Sequence, residues 1–99
     1  MIAVLGSFRF PAESLEQARP LMRAVIAATH AEPGCRAYSY AEDVAEPGLF
    51  RVTELWDSRE ALAVHFRTPH MQAWAGQRAA LGFCDRDISL YALGAAEKL

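Results

Sequence analysis

A chain of 99 residues with 53% hydrophobic content and a formal net charge of −2 describes one domain, spanning 1–99, with apolar surface to spare for an interface or a pocket. Lys98 is its only lysine and its arginines are scattered, so it lacks the clustered positive charge that nucleic-acid binding needs. No apolar run approaches the roughly 18 residues that cross a bilayer, and the first ten residues lack the charged leader of a signal peptide, so a cytoplasmic protein without membrane or nucleic-acid partners is expected.

Residues 2–10 place Ile2, Val4, Phe8 and Phe10 on one side at period two, with Ala3, Leu5, Ser7 and Arg9 on the other. That pattern predicts a strand apolar on both faces, ended by Pro11. Ser14 with Gln17 resembles a capping box, and Leu21, Met22, Val25, Ile26 and Thr29 form a helical stripe. Pro20 allows two arrangements: a helix from Ser14 kinked at Pro20, or a turn over 12–18 with Pro20 in the first helical turn. The second is the expectation. Glu32-Pro33-Gly34 stops this helix, leaving His30 as a surface group near its C-terminus.

Strands are predicted over 35–43, with Tyr38 and Tyr40 on one face, and over 49–56, with Phe50, Val52, Glu54 and Trp56 alternating. The Ala45-Glu46-Pro47-Gly48 turn makes them an antiparallel hairpin. Asp57 and Glu60 frame a second helix carrying Leu62, His65 and Phe66. Thr68 caps a third with Pro69 at its first position, followed by Met71, Trp74, Arg78 and Leu81, and Gly82 ends it. The last strand is predicted over 87–94. Cys35 and Cys84 form no CxxC pair and are expected to be buried thiols.

The order implies an α+β, ferredoxin-like βαββαβ sandwich with its helices on one sheet face. The opposite face then needs a cover. A second copy is the simplest one, which makes a homodimer the expected assembly.

Nucleophile elbows, zinc helices and phosphate loops are all absent. His65 and His70 are five apart across a helix break, not the i, i+4 spacing of a helical metal site, so no metal is expected. The chemistry concentrates around Trp56, His65, Phe66, His70, Met71 and Trp74. An indole can stack on a flat ligand, and an imidazole can take a phenolic proton near neutral pH. Core packing is the competing reading of the same aromatics and methionine.

The runs Ala31-Glu32-Pro33-Gly34-Cys35-Arg36-Ala37-Tyr38, Glu46-Pro47-Gly48, Glu54-Leu55-Trp56, Glu60-Ala61-Leu62 with His65, and Thr68-Pro69-His70, in this order, resemble the antibiotic biosynthesis monooxygenase superfamily. The resemblance implies a dimeric α+β barrel. For active members it also implies oxygenation of electron-rich phenols, quinols or haem by O2, with no flavin or bound metal. Trp56 matches a tryptophan of the haem-degrading branch. This chain has no asparagine, Ser7 stands near that branch's asparagine position, and the haem-ligand position falls near Ala75 or Gln77. The quinol-oxidising branch is therefore the best match.

The resulting expectation is a cofactor-independent monooxygenase acting on a small aromatic quinol or phenol. His65 or His70 would act as base, Trp56 would stack on the ring, and Trp74, Phe66, Tyr38, Tyr40 and Met71 would line the wall. The alternative is a dimer of the same fold, without catalysis, that binds aromatic ligands or serves in stress.

Overall fold

The computed structural model describes residues 1–99. Four strands and three α-helices follow in the order β1 (Ile2–Arg9), α1 (Leu15–His30), β2 (Cys35–Glu42), β3 (Leu49–Trp56), α2 (Arg59–Phe66), α3 (Pro69–Ala80) and β4 (Cys84–Ala92), with one 3-10 turn, Ala12–Ser14, leading into α1. The strands form one antiparallel sheet in the order β2-β3-β1-β4. This is the ferredoxin-like α+β arrangement, with β1 and β3 central.

The period-two pattern of β1 places Ile2, Val4 and Phe8 on the helical side. Phe8 and Phe10 pack there with Phe50, Val52 and Trp74, and with Ala18, Met22 and Val25 of α1. A second cluster joins Ile2, Val4, Tyr38, Trp56 and Leu62. The two clusters share the sheet, and a cavity opens over β4, where α2 and α3 stand off the strands.

Five local expectations are corrected. First, α1 begins at Leu15 and runs through Pro20, and Ser14 is helical itself and makes no side-chain cap. The 3-10 turn takes over the cap's task, with the Ser14 N–H donating to the Pro11 carbonyl. Proline removes only the bond to Glu16, and the burial of Ala18, Met22, Val25 and Thr29 outweighs that loss. Second, the α2 cap is Ser58, whose hydroxyl accepts from the Ala61 N–H, while Asp57 pairs with Arg36. Third, β4 starts at Cys84, earlier than the apolar alternation announces, because a register irregularity between Ser7 and Arg9 carries the strand past Asp85, which sits at φ 53. Cys84 is exposed and Cys35 partly buried, so neither is a fully buried thiol. His30 is not simply a surface cap, since its Nε2 lies 2.8 Å from the Tyr38 carbonyl and ties α1 to β2.

Gly6 faces the helical side between Val4 and Phe8, opposite Val52 and Ile88. A Cβ there would overlap the Asp87 carbonyl and the Ile88 backbone. The close passage of β4 over β1 therefore depends on this glycine. Gly6→Ala should lower stability by about 1–3 kcal/mol, as overpacking does, read as a drop in melting temperature of several degrees. An unchanged melting curve would contradict the close approach of β4.

Candidate functional site

Between the sheet and helices α2 and α3 lies an open cavity of about 410 Å³. Val4, Phe8, Tyr38, Tyr40, Val52 and Glu54 form its floor. Leu62, His65 and Phe66 come from α2, Met71, Gln72, Ala75 and Arg78 from α3, and Phe83, Arg86, Ile88, Ser89 and Leu90 from β4 and the segment before it. Its size and its mostly apolar lining with a few polar groups suit a small ring-bearing ligand.

His65 is fully buried in the last turn of α2. Its Nδ1 lies 2.7 Å from Glu32 Oε2, and His70 Nε2 lies 2.7 Å from the same oxygen. A carboxylate oxygen only accepts, so both ring nitrogens donate to it. In neutral His65 the proton thus sits on Nδ1, and Nε2 keeps its lone pair. That Nε2 is buried and has no hydrogen-bond partner. Burial holds the imidazole below its ordinary pKa, with Glu32 working against that shift and His70 with it. Glu32 Oε1 is also buried without a partner.

Glu32, His65 and His70 form a two-imidazole, one-carboxylate set whose donor atoms lie within 4.8 Å of one another. Those donors suit a transition metal chemically. In the present geometry both nitrogens converge on one oxygen at hydrogen-bond length.

Glu54 is the acidic residue of the floor, 6% exposed. The Trp56 Nε1–H donates to its Oε1 at 2.9 Å. Burial pushes the carboxyl up to about 7, against the opposing effects of the Trp56 bond and Arg86. An acid poised there can exchange protons at neutral pH. The Tyr38 and Tyr40 hydroxyls lie 2.6 Å apart. Burial raises both, Tyr40 to about 12 and Tyr38 further, so both stay protonated. One of their two protons joins the pair; the other is left for Met71 Sδ, 4.0 Å from the Tyr38 oxygen, or for a ligand.

Five of the residues expected from the sequence line the cavity: His65, Phe66, Tyr38, Tyr40 and Met71. Trp56, Trp74 and His70 stand behind the wall. Trp56 is 0% exposed, packed edge-on against Tyr38 and 4.7 Å from the His65 ring centroid. Its face is therefore taken by protein, and it reaches the site through its bond to Glu54. Trp74 is buried in the aromatic core, stacked on Tyr40. His70, a quarter exposed, touches the site through Glu32.

Sequence reading did not single out Glu32, Glu54, Arg78 or Arg86. Glu54 had a usable signal, an acidic residue at an inward position between Val52 and Trp56. Glu32 looked like helix punctuation, and nothing local marks which arginine faces a cavity.

The family model for antibiotic biosynthesis monooxygenase matches residues 1–77. An uncharacterized protein of Synechocystis sp. is 30% identical over 98 residues, covering 99% of this chain and 67% of its own length. The Mycobacterium tuberculosis protein Rv0793, whose name carries a provisional monooxygenase designation, is 34% identical over 76 residues, 77% of this chain and 74% of its own. Its solved structure superposes with a TM-score of 0.78 at 29% identity, covering 98% of this chain and 96% of that one. A Deinococcus radiodurans structure, with a similarly provisional designation as an antibiotic biosynthesis monooxygenase, superposes with a TM-score of 0.93 at 30% identity, covering 100% and 98%.

The raised Glu54 pKa has a consequence for stability. The folded chain holds this proton more tightly than the unfolded chain, where the value is near 4.5. The resulting stabilisation is complete below pH 4.5 and is lost as the pH rises through 7. His65, lowered, imposes the opposite slope below its ordinary value. The stability of the wild type minus that of Glu54→Gln isolates the carboxyl. That difference should fall by on the order of 3 kcal/mol from pH 4.5 to 8 in urea titrations. A flat difference would mean that Glu54 is solvated.

Proposed function

Since the chain belongs to the antibiotic biosynthesis monooxygenase family, we propose that its cavity oxidises a small aromatic quinol or phenol with O2, without a bound cofactor. The observation that carries this reading is the unpartnered, buried His65 Nε2, its tautomer set by Glu32, beside a cavity walled by Tyr38, Tyr40 and Phe66.

The chemistry asks little of the protein. His65 Nε2 takes the proton of a ring hydroxyl, and the resulting anion is electron-rich enough to reduce O2 itself. A ring carbon forms a bond to one oxygen atom, the O–O bond breaks, and the second oxygen leaves as water. The ring loses two hydrogens and gains one oxygen, so the substrate is its own reductant. The apolar wall excludes water and raises the worth of each polar contact to the anion. The Tyr O–H and the Glu54 carboxyl are the donors nearest to hand. Glu32, which accepts from both imidazoles at one oxygen, stabilises the His65 imidazolium that this transfer forms.

Oxygen uptake with a panel of hydroquinones tests the reading. Wild-type protein should exceed the uncatalysed autoxidation rate, and His65→Gln should lose about a hundredfold or more of that excess. A wild-type rate never above autoxidation would overturn the enzyme reading. Saturable ligand binding without turnover would instead favour the binding-protein alternative, which the lack of any asparagine supports.

A homodimer belongs to the same proposal. The sheet face away from the helices carries Leu5 at 43% and Tyr91 at 51% exposure, near Ala3 and Leu55 in the strand register. A second copy would bury this apolar strip around a two-fold axis. Sedimentation at micromolar concentration should give a dimer that Leu5→Glu converts to monomer. A monomeric wild type would contradict it.

A further inference from the structure

Arg9, Arg19, Arg36 and Arg51, on the outside of the fold, all pair with carboxylates. Arg23, Arg59 and Arg67 are exposed to water. Arg78 fits neither group. It lines the cavity, is only partly accessible, and has no ion pair and no hydrogen bond. Its guanidinium carbon sits over aromatic rings, 4.4 Å from the Phe83 centroid and 5.9 Å from that of Trp74. Stacking occupies the face of a guanidinium and leaves its N–H edge free, and that edge is the part that grips a carboxylate with two parallel bonds.

Arg86, on β4, lines the same cavity at an exposed position and forms no ion pair, although its charge reaches Glu54. Burial first, and then the nearby charge of Arg86, lower the proton affinity of Arg78. Glu54 is the one acidic residue in the lining, and Trp56 already holds it. An apolar cavity that keeps two guanidinium groups and at most one carboxylate has positive charge left for its occupant.

We propose that Arg78, assisted by Arg86, forms an anion subsite, and that the aromatic ligand of this cavity bears a carboxylate at the end opposite its phenolic hydroxyl. The proposal rests on the reading of the cavity as a phenol or quinol site. Arg78 stands in the last turns of α3, while His65 lies in the last turn of α2, before that helix begins, and both line the cavity. The hydroxyl therefore meets His65 Nε2 at one end of the ligand, and the carboxylate meets Arg78 at the other. Two fused rings are a suitable spacer. A planar carboxylate matches the fork of Arg78 while its ring lies against Tyr40 and Phe83.

Calorimetric titration with 6-hydroxy-2-naphthoate and its neutral isostere, 6-hydroxy-2-naphthamide, tests this. The acid should bind roughly tenfold or more tightly than the amide, the usual gain for a charge-assisted pair. Arg78→Met, which keeps the stem over Phe83, should erase that preference and leave amide affinity nearly unchanged. Arg86→Gln should reduce the preference by a smaller factor. The wild-type ratio and Arg86→Gln carry the test should Arg78→Met fail to fold. Equal affinities in the wild type, equal weakening of both ligands in Arg78→Met, or no saturable binding of either would overturn the subsite. Oxygen uptake with an uncharged hydroquinone is scored separately: turnover with equal acid and amide affinity sinks the subsite alone, and acid preference without turnover sinks the oxygenase alone.

Discussion

The Glu32 carboxylate accepts a hydrogen bond from each of two imidazoles at one oxygen, and the architecture of the site follows from that meeting. Glu32 stands where α1 gives way to β2, His65 ends α2, and His70 opens α3, so one buried side chain joins three junctions of the chain. The backbone supports it from both sides. Gly34 at φ 82 reverses the chain after Glu32-Pro33, its carbonyl accepts from the Asp57 N–H, and a Cβ there would overlap the Ala61 side chain. The turn and the start of α2 are thus pressed together, and the carboxylate arrives beneath His65 already oriented. Taking a carboxylate out of water is costly, and two charge-assisted donors offset much of that cost. The orientation also fixes which nitrogen of His65 is left for the cavity.

Around this cluster most polar groups have partners, while Glu32 Oε1 and Trp74 Nε1 are buried without one. Glu54 is desolvated but receives the indole N–H of Trp56; Tyr38 and Tyr40 satisfy one another; Arg78 lies against Phe83. Within the cavity lining, the groups left over are the His65 lone pair, one tyrosyl proton and the N–H edge of Arg78. They are chemically different, and each is matched by a different part of a hydroxylated, anionic aromatic. The apolar remainder of the lining makes each of these contacts stronger than it would be in water.

β3 could be read directly because its two faces differ, with Phe50, Val52 and Trp56 on one and Arg51 and Thr53 on the other. The chain-stopping glycines 34 and 82 were equally plain, since both adopt positive φ. Pro20 misled because local propensity is outweighed by the buried stripe that follows it. The site was half legible. Aromatic and histidine side chains on predicted elements marked the region, yet spacing along one helix gives no sign that His65 and His70, on opposite sides of a break, converge on a residue more than thirty positions earlier. Trp56 was placed in the right neighbourhood with its face turned the wrong way, because a strand end can offer an indole to a cavity or to the core, and only the packing of Tyr38, Leu62 and His65 decides between them.

Nitrogen-15 NMR of the imidazole rings interrogates the central claim without a substrate. At pH 7 His65 should appear as a neutral ring with its proton on Nδ1 and an unprotonated Nε2, and Glu32→Gln should disturb that pattern. A His65 that is protonated on Nε2, or that is an imidazolium at this pH, would contradict the account, because the cavity would then have no base.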